Sequence, residues 1–282
     1  MEKKLVLRGI LVGALGGLLA FVFARIFAEP LIQSAIDYES GRGEAEAALN
    51  QAAGLPVESE GPEVFSRAIQ ANLGIGIGMI LFGVAMGALF SVVYTVSLGR
   101  TGRVRPRVLA LLVAAAGFLA LYLVPFLKYP ANPPSIGHPE TIGARGGLYL
   151  TMVAASILFL TGAVRLGKRL SARLGTWNAT LVAAAAFVVV MGVLMAVLPP
   201  LGHLAANVNE YGSQGTETPL PLKNPAGQIV YPGFPADTLF DFRLYSVLAQ
   251  LILWATIGLA FGPLAERVLS GASRREQAPA DA

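Results

Sequence analysis

The chain has 282 residues, of which 55% are hydrophobic and only 13% charged, with a formal net charge of +4. An average soluble protein carries roughly 25% charged residues, so the composition places the chain in the membrane class rather than among soluble folds. With no cysteine, disulfides, thiolate metal sites and thiol catalysis are excluded.

A membrane-crossing helix needs about 20 mostly apolar residues. The sequence predicts an all-α integral membrane protein with six such spans: Leu5–Ala28, Ala71–Leu98, Val108–Leu127, Gly146–Val164, Trp177–Leu198 and Phe242–Leu264. Together they make one six-helix membrane domain over residues 1–282. Two longer connections, residues 29–70 and 202–241, read as structured extracytoplasmic loops.

The first span opens on Lys3, Lys4 and Arg8. Its apolar run exceeds the usual 7–15 residues of a secretion signal and no small-x-small site follows, so it reads as an uncleaved helix. Gly9, Gly13 and Gly17 repeat every four residues, as do the pairs Gly74/Gly78, Gly83/Gly87 and Gly258/Gly262. Such small residues let helix backbones approach closely in lipid, which predicts tight packing of spans one, two and six. Near the outer end, Arg25 and Glu29 are four residues apart and share a helix face. They are either a snorkelling arginine held by its acid or a charged pair at an entrance.

The loop 29–70 is acidic, with Asp37, Glu39, Glu44, Glu46, Glu58, Glu60 and Glu63. Within it "GEAEAALNQAAG" predicts a short helix ended by Gly54 and Pro56. After span two come Arg100, Arg103, Arg105 and Arg107; after span four come Arg165, Lys168, Arg169 and Arg173; the tail carries Arg267, Arg274 and Arg275. Most of the basic residues thus lie on alternate connections, joined there only by Glu2, Glu266, Glu276 and Asp281. Short basic loops stay in the cytoplasm, so six spans with both termini cytoplasmic fit the pattern. The same placement explains the basic pI near 9.5 without nucleic acid as a partner and leaves membrane lipid as one.

Several motifs carry no chemistry. "GAVRLGKR" (162–169) lacks the hydroxyl of a phosphate loop and ends an apolar span. "GIGIGM" has no strand before it, and Asn178 of "NAT" falls inside a span. No Ser–His–Asp or H-E-x-x-H pattern is present, and there are only two histidines. The chain does not read as an enzyme and holds no resident cofactor.

Span five ends in "LPPLGHLAANVNEYG", where Pro199 and Pro200 break the helix. If a helix restarts there, His203, Asn207 and Glu210 fall on one face, either as a capping cluster or as imidazole and oxygen ligands for a borderline divalent ion. Tyr129-Pro-Ala-Asn132 and Phe234-Pro-Ala-Asp237 echo each other, and Asp237 is placed to cap the start of span six.

"KYPANPP", "IGHPETIGARGGLYL" and "FPADTLFDFRL", with "FARIFAEPLIQSAIDYE" after span one, resemble the proposed cobalt transporter family CbtA over essentially the whole chain. The resemblance implies a multi-pass protein of a bacterial or archaeal cytoplasmic (inner) membrane that takes up cobalt for cobalamin synthesis. Its expected partner is CbtB, a small single-span protein with a histidine-rich end. The family is described with about five spans, against the six read here. It marks Tyr129, Pro130, Asn132, Pro133, His138, Phe234, Pro235, Asp237, Phe242 and Arg243.

Two function classes follow. In the first the chain is a permease for a divalent cation, cobalt(II) foremost, gathered at the outer face by His203, His138, Asp237, Asn132, Asn207, Glu210 and Glu29. The spans contain almost no acid, whereas a path for a dication needs polar groups at membrane depth. A histidine-bearing partner or a homo-oligomer would complete such a path. No ATP site is visible, so the driving force would be a gradient or the membrane potential, about 4.6 kcal/mol per 100 mV for a dication, twice the single-charge value. In the second class the chain is a non-transport module that binds a partner protein or lipid through its outer loops.

Overall fold

Apolar segments that meet no water must satisfy their backbone groups internally, and the computed structural model is accordingly helical. It describes residues 2–57, 65–102 and 104–276. Glu58, Glu60, Glu63, Arg103 and Asp281 lie outside the described residues. In chain order the elements are α1 (Glu2–Phe27), α2 (Glu29–Ala52), α3 (Arg67–Ser97), α4 (Pro106–Lys128), α5 (Ile142–Val197), α6 (Ala205–Tyr211), the antiparallel pair β1 (Leu222–Lys223) and β2 (Ile229–Tyr231), and α7 (Ala236–Glu276). Among the described residues, five helical runs are long and apolar enough to cross a membrane: α1, α3, α4, the run Pro139–His203 that contains α5, and Ala236–Ser270 of α7. Their outward faces are apolar and open. Leu11, Leu81, Leu158 and Val188 are each more than 60% exposed, an arrangement suited to lipid rather than water.

The sequence predicts six crossings and the structure carries five runs, because spans four and five both lie on α5. A straight helix of 56 residues would be about 84 Å long, against about 30 Å of bilayer core. α5 is not straight. Gly175 leaves helical geometry at φ 73° and ψ 163°, a conformation that glycine adopts without a Cβ penalty. A Cβ built on Gly167 would lie 3.4 Å from the Ala183 Cβ, whereas a straight helix would hold those residues about 24 Å apart. The two expected spans are therefore the arms of one helical hairpin.

The chain forms two compact units. The first comprises Met1–Pro30, Pro62–Leu119 and Tyr245–Ala282. Its α1 and α3 approach at backbone distance: a Cβ on Gly13 or Gly17 would collide with the carbonyl of Gly83 or Met79, and one on Gly87 with that of Gly9. The glycine repeat of α7 has a different partner from the predicted one. Gly258 and Gly262 face Ala114, Leu111 and Arg107 of α4, while α7 meets α1 through Leu253 at Gly16. Gly78 faces open space, so the Gly74/Gly78 pair is not a packing seam. Phe90, Tyr94 and Phe261 form an edge-to-face core, with Phe261 fully buried. At one end Arg8 donates to the Leu264 carbonyl and Arg107 pairs with Glu266 at 2.6 Å. At the other end Arg67 pairs with buried Glu29, and Arg25 donates to Asn72 Oδ1 at 2.9 Å. The expected Arg25–Glu29 pair is thus replaced by two longer-range ones, because a turn at Ala28 interrupts the helix between α1 and α2 and ends the shared face.

The second unit comprises Leu31–Gly61 and Ala120–Leu244. α2 is longer than the predicted short helix and runs to Ala52, with Gly54 at φ 70° just beyond its end. Its Ala35 and Tyr38 pack on Ile136 and Phe234, with Tyr231 alongside. α4 passes through a π-helical segment, Phe118–Leu123, just before Pro125. Pro125 has no N–H for the carbonyl of Leu121 four residues back, and the Tyr149 hydroxyl from α5 donates to that carbonyl at 3.4 Å instead.

Candidate functional site

The polar side chains of the second unit converge where α4 and the N-terminal arm of α5 end. Pro133, Pro134 and Pro139 stiffen the connection between them, and Ser135 (φ 71°) and Gly137 (φ 133°) turn it sharply. The turn at Gly137 is required: a Cβ there would lie 2.6 Å from Arg145 Nη1 and 3.2 Å from Glu217 Oε2.

Glu217 is the centre of the cluster, with its side chain fully buried. Its Oε1 accepts from Asn207 Nδ2 at 2.8 Å and from the Thr141 hydroxyl, which also lies 2.8 Å from the His138 carbonyl. Its Oε2 faces Arg145 Nη1 at 3.1 Å, a charge contact without hydrogen-bond alignment. A buried carboxylate is costly unless paired and hydrogen-bonded, and these donors come from two separate chain segments. Glu217 therefore ties the 137–145 turn to α6 and the loop after it.

His138 sits on the rim. Its Nδ1 accepts the Glu140 N–H at 3.2 Å, which leaves the ring proton on Nε2, 3.0 Å from Glu210 Oε2. The imidazole is mostly buried and Glu210 is exposed. Beyond Glu210 a cleft of about 660 Å³ opens, with Arg42, Glu46 and Lys223 beside apolar Leu49, Leu222 and Ile229 in its lining. Burial, and after it a hydrogen bond to Glu210, pushes the Tyr211 phenol well above its ordinary range. Burial also raises the phenols of Tyr38 and Tyr129, which donate to the carbonyls of Pro232 and Pro199, each at 2.9 Å.

The YPAN and FPAD stretches meet through Arg243, which donates to the Ala131 carbonyl at 3.2 Å and to Asn132 Oδ1 at 2.8 Å. Asn132 is thus held by an arginine. Asp237 is exposed in the first turn of α7, where a carboxylate suits the helix dipole. His203, Asn207 and Glu210 do not share a face. His203 is exposed in a 3₁₀ turn (Leu201–His203), and extended backbone at Leu204 separates it from α6. On α6, Asn207 turns inward to Glu217 and Glu210 turns to His138. Glu29 belongs to the first unit, paired with Arg67. Among the described residues, no three His, Asp or Glu side chains come together as a metal site.

Glu217, Thr141 and Arg145 were not among the sequence candidates. The available signal was Arg145, a cation at the start of an apolar span and on a connection that otherwise carries the acids; such a group needs a carboxylate partner.

The family model for "Probable cobalt transporter subunit (CbtA)" matches residues 2–266. The chain belongs to the CbtA family. The match takes in nearly all of both compact units and every polar residue of the cluster around Glu217. The family's name suggests a cobalt transporter subunit, and the apolar helices suit a multi-pass membrane protein. No curated protein and no solved structure matches it. What is specific to this CbtA chain is therefore read from its own geometry, in which the one imidazole set against a carboxylate is His138 on Glu210.

Proposed function

We propose that this chain is the membrane-spanning component of a divalent-cation uptake transporter. Cobalt(II) is its cargo, a small single-span, histidine-rich protein of the CbtB type is its partner, and the uptake serves cobalamin synthesis. It acts as a non-enzymatic conduit component. The cell membrane is crossed six times, with both hairpin arms of α5 counted and both termini in the cytoplasm. The turn at Gly175 supports that topology, because Arg165, Lys168, Arg169 and Arg173 all sit on the arm leading into it.

The observation that carries the cation reading is the His138–Glu210 pair. Two donor atoms 3.0 Å apart span one edge of a coordination shell whose bonds are about 2.1 Å. A metal on Nε2 would need the ring proton moved to Nδ1, which would give up the bond that Nδ1 accepts from the Glu140 N–H. The pair supplies two ligands. Water, the partner's histidines or a second copy would supply the others, and the cleft beside Glu210 would hold the ion on its way in. His203, Asp237 and Asn132 would act at most as accessory oxygen and nitrogen groups on the approach, with Asn207 and Glu29 held in structural bonds.

Cobalt(II) uptake into proteoliposomes, with and without the small partner, tests the reading. Uptake above empty vesicles, cut about tenfold or more in His138→Ala with Glu210→Gln, is the expected result, since loss even of a ligand's supporting partner costs that much. Uptake at the empty-vesicle level with both proteins present would sink the transport reading. The second reading, a non-transport module acting through its outer loops, draws on one observation: no three-ligand group forms among the described residues. Unchanged uptake by the partner alone would favour it.

A further inference from the structure

We infer that the second unit carries a binding site for one phospholipid molecule with an anionic headgroup, in a groove between the end of α4 and the N-terminal arm of α5. The groove encloses about 550 Å³. Its apolar length is made by Tyr122, Phe126, Tyr149 and Leu150, with Tyr122 and Phe126 stacked at 5.2 Å. Gly146 leaves the wall between them without a side chain, and a Cβ built there would meet nothing within 4 Å. Leu150, 66% exposed, opens the groove sideways from the apolar run that crosses the membrane. An acyl chain enters such a groove without leaving the hydrocarbon. A hydrated metal ion gains nothing from it, so this site is separate from the cation site proposed above.

The groove ends at cations. Arg145 lines it and keeps N–H donors beyond the one facing Glu217. Arg243 holds Ala131 and Asn132 of the same wall and has no carboxylate partner among the described residues. Lys128, at the end of α4, rests 5.8 Å from the ring centre of Tyr129, which also lines the groove, and likewise has no acid partner among the described residues. Arg145, Arg243 and Lys128 thus set three cations at this end, of which Arg145 alone is paired with a carboxylate among the described residues. Tyrosines at this level suit the boundary between hydrocarbon and headgroups. An aromatic slot that opens to lipid and ends in cations matches a phosphate diester above an acyl chain. A bare phosphate would leave the apolar length empty, and a helix would need a wider trough.

Native mass spectrometry of the full chain, purified in mild detergent and titrated with phosphatidylglycerol or phosphatidylcholine, tests the site. The expected result is one retained phosphatidylglycerol per chain. Gly146→Leu should lower the lipid-bound fraction about tenfold, because its side chain fills the slot and removes burial of about 0.8 kcal/mol per methylene. The open space at Gly146 lets that variant fold, and circular dichroism checks that it does. Lys128→Gln should reduce the preference for phosphatidylglycerol over phosphatidylcholine about fivefold, the effect one cation carries near an anionic surface. Equal retention of both lipids by the wild-type chain would overturn the proposal, as would full retention by Gly146→Leu. Loss of the small partner protein from Gly146→Leu with lipid retention intact would assign the groove to a protein helix instead.

Discussion

Replacing Glu217 with alanine removes the group on which the 137–145 turn and α6 converge. The Asn207 amide loses a 2.8 Å bond, the Thr141 hydroxyl loses its carboxylate partner, and Arg145 is left beside a void. Breaking a buried ion pair by removing one partner costs about 3–5 kcal/mol. The Arg145 side chain is 28% exposed, so water takes up part of the loss, and the low end, about 3 kcal/mol, applies. At roughly 2–4 °C per kcal/mol for a chain of this size, the midpoint of thermal unfolding should fall by about 6–12 °C. Glu217→Gln keeps the Oε1 acceptor but loses the charge, and should cost about half as much. Unfolding followed by circular dichroism in detergent measures both; thiol-reactive dyes cannot, because the chain has no cysteine. Combining Glu217→Gln with Arg145→Gln should cost at least about 0.5 kcal/mol less than the sum of the single changes. A Glu217→Ala midpoint within about 2 °C of wild type, or strictly additive single changes, would show that Glu217 does not organise the cluster.

Three further outcomes are expected. Gly83→Leu should destabilise the first unit by about 1–3 kcal/mol, because its Cβ points at the α1 backbone, whereas Gly78→Ala should be neutral or stabilising by up to about 1 kcal/mol; thermal unfolding separates them. Arg67→Ala should cost about 3 kcal/mol by stranding buried Glu29, while Arg25→Ala, at an exposed bond, should leave the midpoint unmoved. Tyr38 has its phenol raised by burial above its ordinary 10.0. The folded state thus holds the proton more tightly than the unfolded one, and this contribution is complete below pH 10.0 and fades as pH climbs through the raised value. Tyr38→Phe should therefore lose less stability than wild type between neutral pH and about pH 11; an equal alkaline loss would show that Tyr38 does not titrate in this way.

The apolar runs were legible in the sequence because lipid-facing helices must be apolar along their whole length, and spans four and five differ from α5 only in the fold-back at Gly175. Three features were not legible. α2 continues through Gly41 and Gly43, which argue against a helix locally; packing of Ala35 and Tyr38 on Ile136 and Phe234 overrides that preference. The His203–Asn207–Glu210 face assumed one continuous helix, and a single extended residue, Leu204, rotates it away. Glu217 sits in a polar loop with no periodic pattern, so only the long-range need of Arg145 for a partner marks it.

The helix that completes the first unit leaves the ribosome long after α1 and α3. Leu253, Trp254, Ile257 and Phe261, all on α7, are nearly or fully buried. α1 and α3 can zip along their glycines while the chain is still being synthesised, yet their aromatic core and the Arg8 anchor at Leu264 wait for residues 245 to 264. A nascent chain stalled before residue 245 therefore exposes an unfilled seam within the bilayer. Membrane quality control should clear such truncations quickly, even though most of the helices have already been inserted.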